Sequence, residues 1–149
     1  MKNYLSSVRL TLYVNRAVAL LMLVMIFCFP IMVEHYHQDY RLLSTAERSA
    51  ILIAFYCSAG AVLLALWHMD RLLGNILRGE LFTLPNVRHI RTVRWCCLAV
   101  SVVCMGASFG FPSLGFVSVI MLFLCMVVTV VGQVMAAAVV IREENDLTV

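Results

Sequence analysis

Four apolar runs, each near the length of a bilayer crossing, limit what this chain can become. They cover about residues 13–33, 50–69, 95–111 and 116–141. A hydrocarbon core of about 30 Å takes roughly 20 helical residues to cross. Inside it no water pairs with backbone N–H and C=O groups, so each run must satisfy its own backbone as a helix. The composition agrees. The 149 residues are 63% hydrophobic and 13% charged, whereas soluble domains are roughly 45–50% apolar and about a quarter charged. The chain therefore reads as one integral membrane domain with the lipid bilayer as its solvent.

Basic residues set the orientation. Lys2 and Arg9 precede the first run and Arg16 sits at its start, while Arg71, Arg78, Arg88, Arg91 and Arg94 lie between the second and third. Only Arg41 and Arg48 lie between the first and second. Short cytoplasmic flanks carry the excess of Lys and Arg. The N-terminus, residues 70–94 and the tail 142–149 are thus expected in the cytoplasm. The retained first span is too long for a signal peptide's apolar core and lacks a small-residue cleavage site. The six cysteines all fall in or beside apolar runs, where they read as small apolar side chains.

Local signals define the helices more closely. Ser44 and Glu47 have capping-box spacing, which predicts that helix two starts near Thr45. No strong breaker follows before Gly79, suited to the left-handed position after a helix, so helix two is expected to end at Arg78. Thr83 before Leu84-Pro85 predicts the start of helix three, since proline in a first turn loses no intrahelical bond; that helix is expected to reach Phe109. The fold class is therefore an all-α, four-transmembrane-helix bundle with both termini inside. Helices two and three extend into a cytoplasmic helical hairpin. Pro112 to Gly115 reads as the tight turn joining spans three and four.

Candidate sites are few. Exposed Arg88 and Arg91 on the hairpin suit an acidic cytoplasmic partner or anionic headgroups, although any inner loop carries such charge. Glu143, Glu144 and Asp146 give the tail the opposite sign. Gln133 is the only amide deep in a run and is expected to face the interior, where Ser58, Ser101, Ser108 and Thr129 serve as partners. No Asp, Glu, Lys or Arg falls mid-span, which argues against a proton relay. Glu34, His35, His37 and Asp39 offer zinc-type donors in an outer loop, but without helical i,i+4 spacing. Gly106 and Gly110 form a G-x-x-x-G that lets span three approach span four closely, with homodimerisation as the second reading; Gly132 and Ala136 repeat the spacing. No P-loop, nucleophile elbow, H-E-x-x-H or dinucleotide fingerprint is present, so neither an enzyme nor a cofactor is expected.

Asn75-Ile76, Gly79, Phe82-Thr83, Asn86-Val87 and Ile90-Arg91, with the ending Arg142-Glu143-Glu144-Asn145-Asp146-Leu147-Thr148-Val149, resemble a family of bacterial four-span membrane proteins known as a domain of unknown function. The resemblance implies a bacterial cytoplasmic membrane location and a frequent pairing with a small helix-turn-helix regulator. It implies no catalytic residue. It adds Asn75, Gly79, Phe82 and Asn86 to the candidate partner-binding positions. The expected function is regulatory or scaffolding, with hairpin and tail holding a soluble partner such as a small DNA-binding regulator; the chain itself touches no nucleic acid. The alternative is a small-molecule or peptide transport or immunity protein with a site between the spans near Gln133.

Overall fold

The computed structural model describes residues 2–40, 45–80 and 82–146, without the side chains of residues 2–5, 36–40, 45–47, 143, 145 and 146. Four α-helices follow one another: α1 (Lys2–Tyr40), α2 (Thr45–Leu77), α3 (Leu84–Ala107) and α4 (Pro112–Asp146). All four are long and apolar enough to cross a membrane. At 1.5 Å per residue, the 33 residues of α2 extend about 50 Å, well beyond the about 30 Å core.

The helices pack in sequence order. Among the described residues α1 packs on α2, α2 on α3 and α3 on α4, and α1 does not pack on α3 or α4. The central α3 buries one stripe, with Asn86, Ile90, Cys96, Val100, Ser101 and Cys104 inside. The outer helices leave large apolar side chains uncovered, including Phe27 and Ile31 on α1 and Phe116 and Phe123 on α4. In water these surfaces would drive aggregation; in lipid they are solvated.

The seams are held by polar contacts inside apolar surroundings. Pro30 lies within α1 and has no N–H to give the carbonyl of Ile26, four residues earlier. The hydroxyl of Tyr56 on α2 donates to that carbonyl at 3.2 Å. One turn away the rings of Phe29 and Phe55 stack with centroids 3.8 Å apart. Between α3 and α4, Ser101 Oγ donates to the carbonyl of Ser118 at 3.0 Å, and Ser118 Oγ donates to that of Ser101 at 2.9 Å. Both serines are buried. Gly132 supplies the close approach: a Cβ there would meet Ile90 Cγ2 at 3.1 Å.

Several expectations change. The turn after α3 is Ser108–Phe111, not Pro112–Gly115. Gly110 and Phe111 donate to the carbonyl of Ala107, and Pro112 opens α4, a position where its missing N–H is harmless. Span three therefore ends short of Phe109 and Phe111. Gly106 and Gly110 fall on a helix end and a turn, so they present no common helical face; Gly106 meets nothing within 4 Å and Gly110 only the carbonyl of Ala107, in its own turn. Of the two small-residue pairs, the one on α4 makes the close packing. The segment from Glu34 to Asp39, expected as an outer loop, is the end of α1, where Glu34 pairs with Arg48 of α2. The side chains of His37, Asp39 and Glu47, and all of Ser44, lie outside the described residues. The six cysteines are free.

Candidate functional site

The turn between α2 and α3 is built from the backbone outward. Gly79 has φ of +81°, where a Cβ is penalised. Its N–H donates to Ile76 at 3.1 Å, and that of Glu80 donates to Asn75 at 3.0 Å. These are the paired bonds of a Schellman motif, with Gly79 one residue past the capping Arg78. Thr83 has extended geometry at the start of α3, as its sequence suggests, but its side chain makes no capping bond; its carbonyl accepts from Asn86 at 3.1 Å.

Asn86 ties the turn together. It is fully buried. Its Nδ2 donates to the carbonyl of Glu80 at 2.5 Å, and its Oδ1 accepts from Asn75 Nδ2 at 2.7 Å. A carbonyl can only accept, so the Glu80 contact fixes which way the Asn86 amide points, and Asn75 must then donate. The two asparagines thus clasp the helix ends from inside. Asn86 is accordingly corrected from a partner contact to an internal strut; half-buried Asn75 serves the same strut.

Gly79, Glu80, Phe82, Arg88 and Arg91 are exposed around this strut. Glu144 is exposed on the last turns of α4. The helix runs through Asp146, so most of the acidic tail is helical; the side chains of Glu143 and Asp146 are not described.

Gln133 does not face a bundle interior. It is exposed and lines a cleft of about 110 Å³ with Arg91, Arg94, Thr129, Gly132 and Ala136. Three of the four hydroxyls expected to satisfy it, those of Ser101, Ser108 and Thr129, are engaged elsewhere. Ser101 bonds Ser118, Ser108 Oγ donates to Met105 at 2.6 Å, and Thr129 Oγ1 donates to Cys125 at 2.7 Å. Hydroxyls return to their own helix readily, because a carbonyl four residues back is always within reach.

Three contacts near this end escape a linear reading. His68 and His89 face each other across α2 and α3, Nδ1 to Nδ1 at 2.8 Å. Arg16 Nε reaches Asp70 Oδ1 at 2.8 Å, joining α1 to α2. One residue earlier, Asn15 Nδ2 donates to the carbonyl of Leu66 at 3.0 Å. The available signal was distance from the turn. Residues at similar separations before and after Gly79 meet in an antiparallel pair, as His68 and His89 do. Further into the spans, all four helices contribute to an apolar cavity of about 270 Å³, with Asn15 at its edge and Cys96, Val100 and Met121 among its walls.

Four helices of crossing length, faced with apolar side chains, define a multi-pass helical membrane protein. The chain belongs to the family described as protein of unknown function (DUF2975), whose model matches residues 5–149. No curated protein and no solved structure matches it.

Proposed function

We propose that the chain is a membrane-embedded scaffold that presents the α2–α3 turn to a soluble cytoplasmic partner. The Asn75–Asn86–Glu80 clasp, closed over the fully buried Asn86, carries the reading. An anchor needs only basic side chains near headgroups, and a flexible loop would supply them. A polar network with its groups satisfied gives the turn one shape instead. Around that shape stand Phe82, Arg88 and Arg91, an apolar residue beside two cations, which suits an acidic surface with an apolar spot. The basic flanks favour a cytoplasmic location for it in a bacterial inner membrane. A small DNA-binding regulator is the partner class we assign. No step of this role requires catalysis or a cofactor.

In-cell crosslinking from a photoreactive residue at Phe82, read by mass spectrometry, tests the reading. The expected result is a soluble protein captured at Phe82 and lost in Arg91→Glu. Crosslinks to lipid or to the chain itself, unchanged in Arg91→Glu, would make the turn a simple anchor. The cleft at Gln133 favours a second reading, a site for a small anionic solute between α3 and α4. Its about 110 Å³ is small beside the roughly 300–1,000 Å³ of usual ligand sites, so the turn is preferred.

A further inference from the structure

One stripe of α2 changes character along its length. Leu64, Trp67, Arg71, Gly74 and Arg78 follow each other at alternating steps of three and four, so they share one helical face. Leu64 and Trp67 are 45% and 55% exposed, which places an apolar wall and an indole where an interfacial aromatic belongs. Arg71 and Arg78 are exposed beyond them. Between these arginines stands Gly74, where a Cβ would meet nothing within 4 Å. A cleft of about 330 Å³ results, closed on the α1 side by Arg16.

The charges in the cleft are unequal. Asp70 is spent on Arg16, whose Nε and Nη2 both address it, leaving Nη1 unbonded to that carboxylate. Among the described residues neither Arg71 nor Arg78 pairs with a carboxylate. Arg71 lies over the Trp67 ring with Cζ 5.5 Å from its centroid, a contact that orders the side chain without neutralising it. Guanidinium groups bind phosphate oxygens through paired N–H donors. An apolar wall leading into a cationic cleft matches a ligand with a hydrocarbon tail and an anionic head.

We propose that this cleft binds an anionic phospholipid, with the phosphate between Arg71 and Arg78 beside Gly74 and an acyl chain along Trp67 and Leu64. The site lies on the α1–α2 side and is independent of any partner at Phe82.

The test is native mass spectrometry of the full chain released from micelles containing dioleoyl-phosphatidylglycerol or dioleoyl-phosphatidylcholine. Phosphatidylglycerol should be retained in preference to phosphatidylcholine. The Arg71→Gln, Arg78→Gln double variant should lower retention about tenfold, because each basic group at an anionic surface contributes substantially. Gly74→Leu keeps every charge but fills the cleft, and should also release the lipid. Arg88→Gln, Arg91→Gln, outside the cleft, should keep it. Equal retention of phosphatidylcholine, or equal loss in the Arg88, Arg91 variant, would reduce the effect to general stickiness or bulk charge and overturn the site. Retention by a folded Gly74→Leu would overturn the cleft. Displacement by millimolar inorganic phosphate would make the ligand a free anion and overturn the lipid. Should Gly74→Leu fail to fold by circular dichroism, the two arginine variants decide between site and bulk charge.

Discussion

The imidazoles of His68 and His89 share a single proton position: their Nδ1 atoms lie 2.8 Å apart, one on α2 and one on α3. One ring must donate and the other accept, so the contact survives with no charge or one charge on the pair, but not two.

Acid should therefore weaken the α2–α3 seam. Two protons on the pair would set two N–H groups against each other across the 2.8 Å contact, so its contribution is lost in the doubly protonated state. Thermal unfolding in micelles between about pH 8 and pH 5 measures this. The wild type should lose stability toward acid more steeply than His68→Phe. Parallel curves would show that the rings contribute nothing proton-dependent.

Removing the Asn86 amide should cost more than removing its partner. Asn86→Ala removes two bonds at once, from the Asn75 donor and to the Glu80 carbonyl, each worth about 0.5–1.5 kcal/mol. Asn75→Ala breaks a single bond. The expected order of unfolding temperature is wild type, Asn75→Ala, then Asn86→Ala, and Asn86→Ala should also expose the 79–83 segment to limited proteolysis. An Asn86→Ala protein as stable as wild type would remove the clasp from the account of the turn.

Tyr56→Phe tests how the chain tolerates Pro30. The hydroxyl supplies the bond that proline withholds from Ile26. Its loss should lower stability by about 0.6 kcal/mol, the average measured for hydrogen bonds between membrane helices. In Pro30→Ala the backbone can close its own bond, and Tyr56→Phe should then cost little. Equal losses in both backgrounds would separate the hydroxyl's role from the proline.

Two glycines should fail for different reasons. At Gly79 there is open space but a left-handed backbone, so alanine should cost about 1 kcal/mol through strain and asparagine less. At Gly132 the backbone is helical and the neighbour is near. Alanine there should crowd Ile90 Cγ2, and Ile90→Ala, which removes that carbon, should ease Gly132→Ala without helping Gly79→Ala. Unfolding of the single and double variants checks both.

Much of this fold was written locally in the chain. Thr45, Gly79 and Thr83 mark helix limits because caps and left-handed turns are decided by a few adjacent residues, and the observed ends fall within a residue of the expected ones at Thr45 and Leu77. Pro112 misled because proline serves both turns and first helical positions. Asn86 was singled out from a resemblance, without the burial that explains it; whether an amide points in or out depends on a neighbouring helix. The same holds for Gln133, whose exposure follows from α4 packing on α3 alone. Ser101 and Ser118 are ordinary in sequence, and only their reciprocal alignment makes them a seam. The basic cleft required knowing that Gly74 faces outward beside Arg16 rather than inward.

Because α1 packs on nothing but α2 among the described residues, the four helices act as levers in series. A tilt of α1, whether from bilayer thickness or from a lipid wedged beside it, reaches α3 and the turn only after passing through α2. Asn15 on Leu66 and Arg16 on Asp70 form the coupling that hands it on, barely two helical turns below the Asn75 clasp. Mechanical input at the N-terminal helix and shape at the α2–α3 turn therefore share one relay.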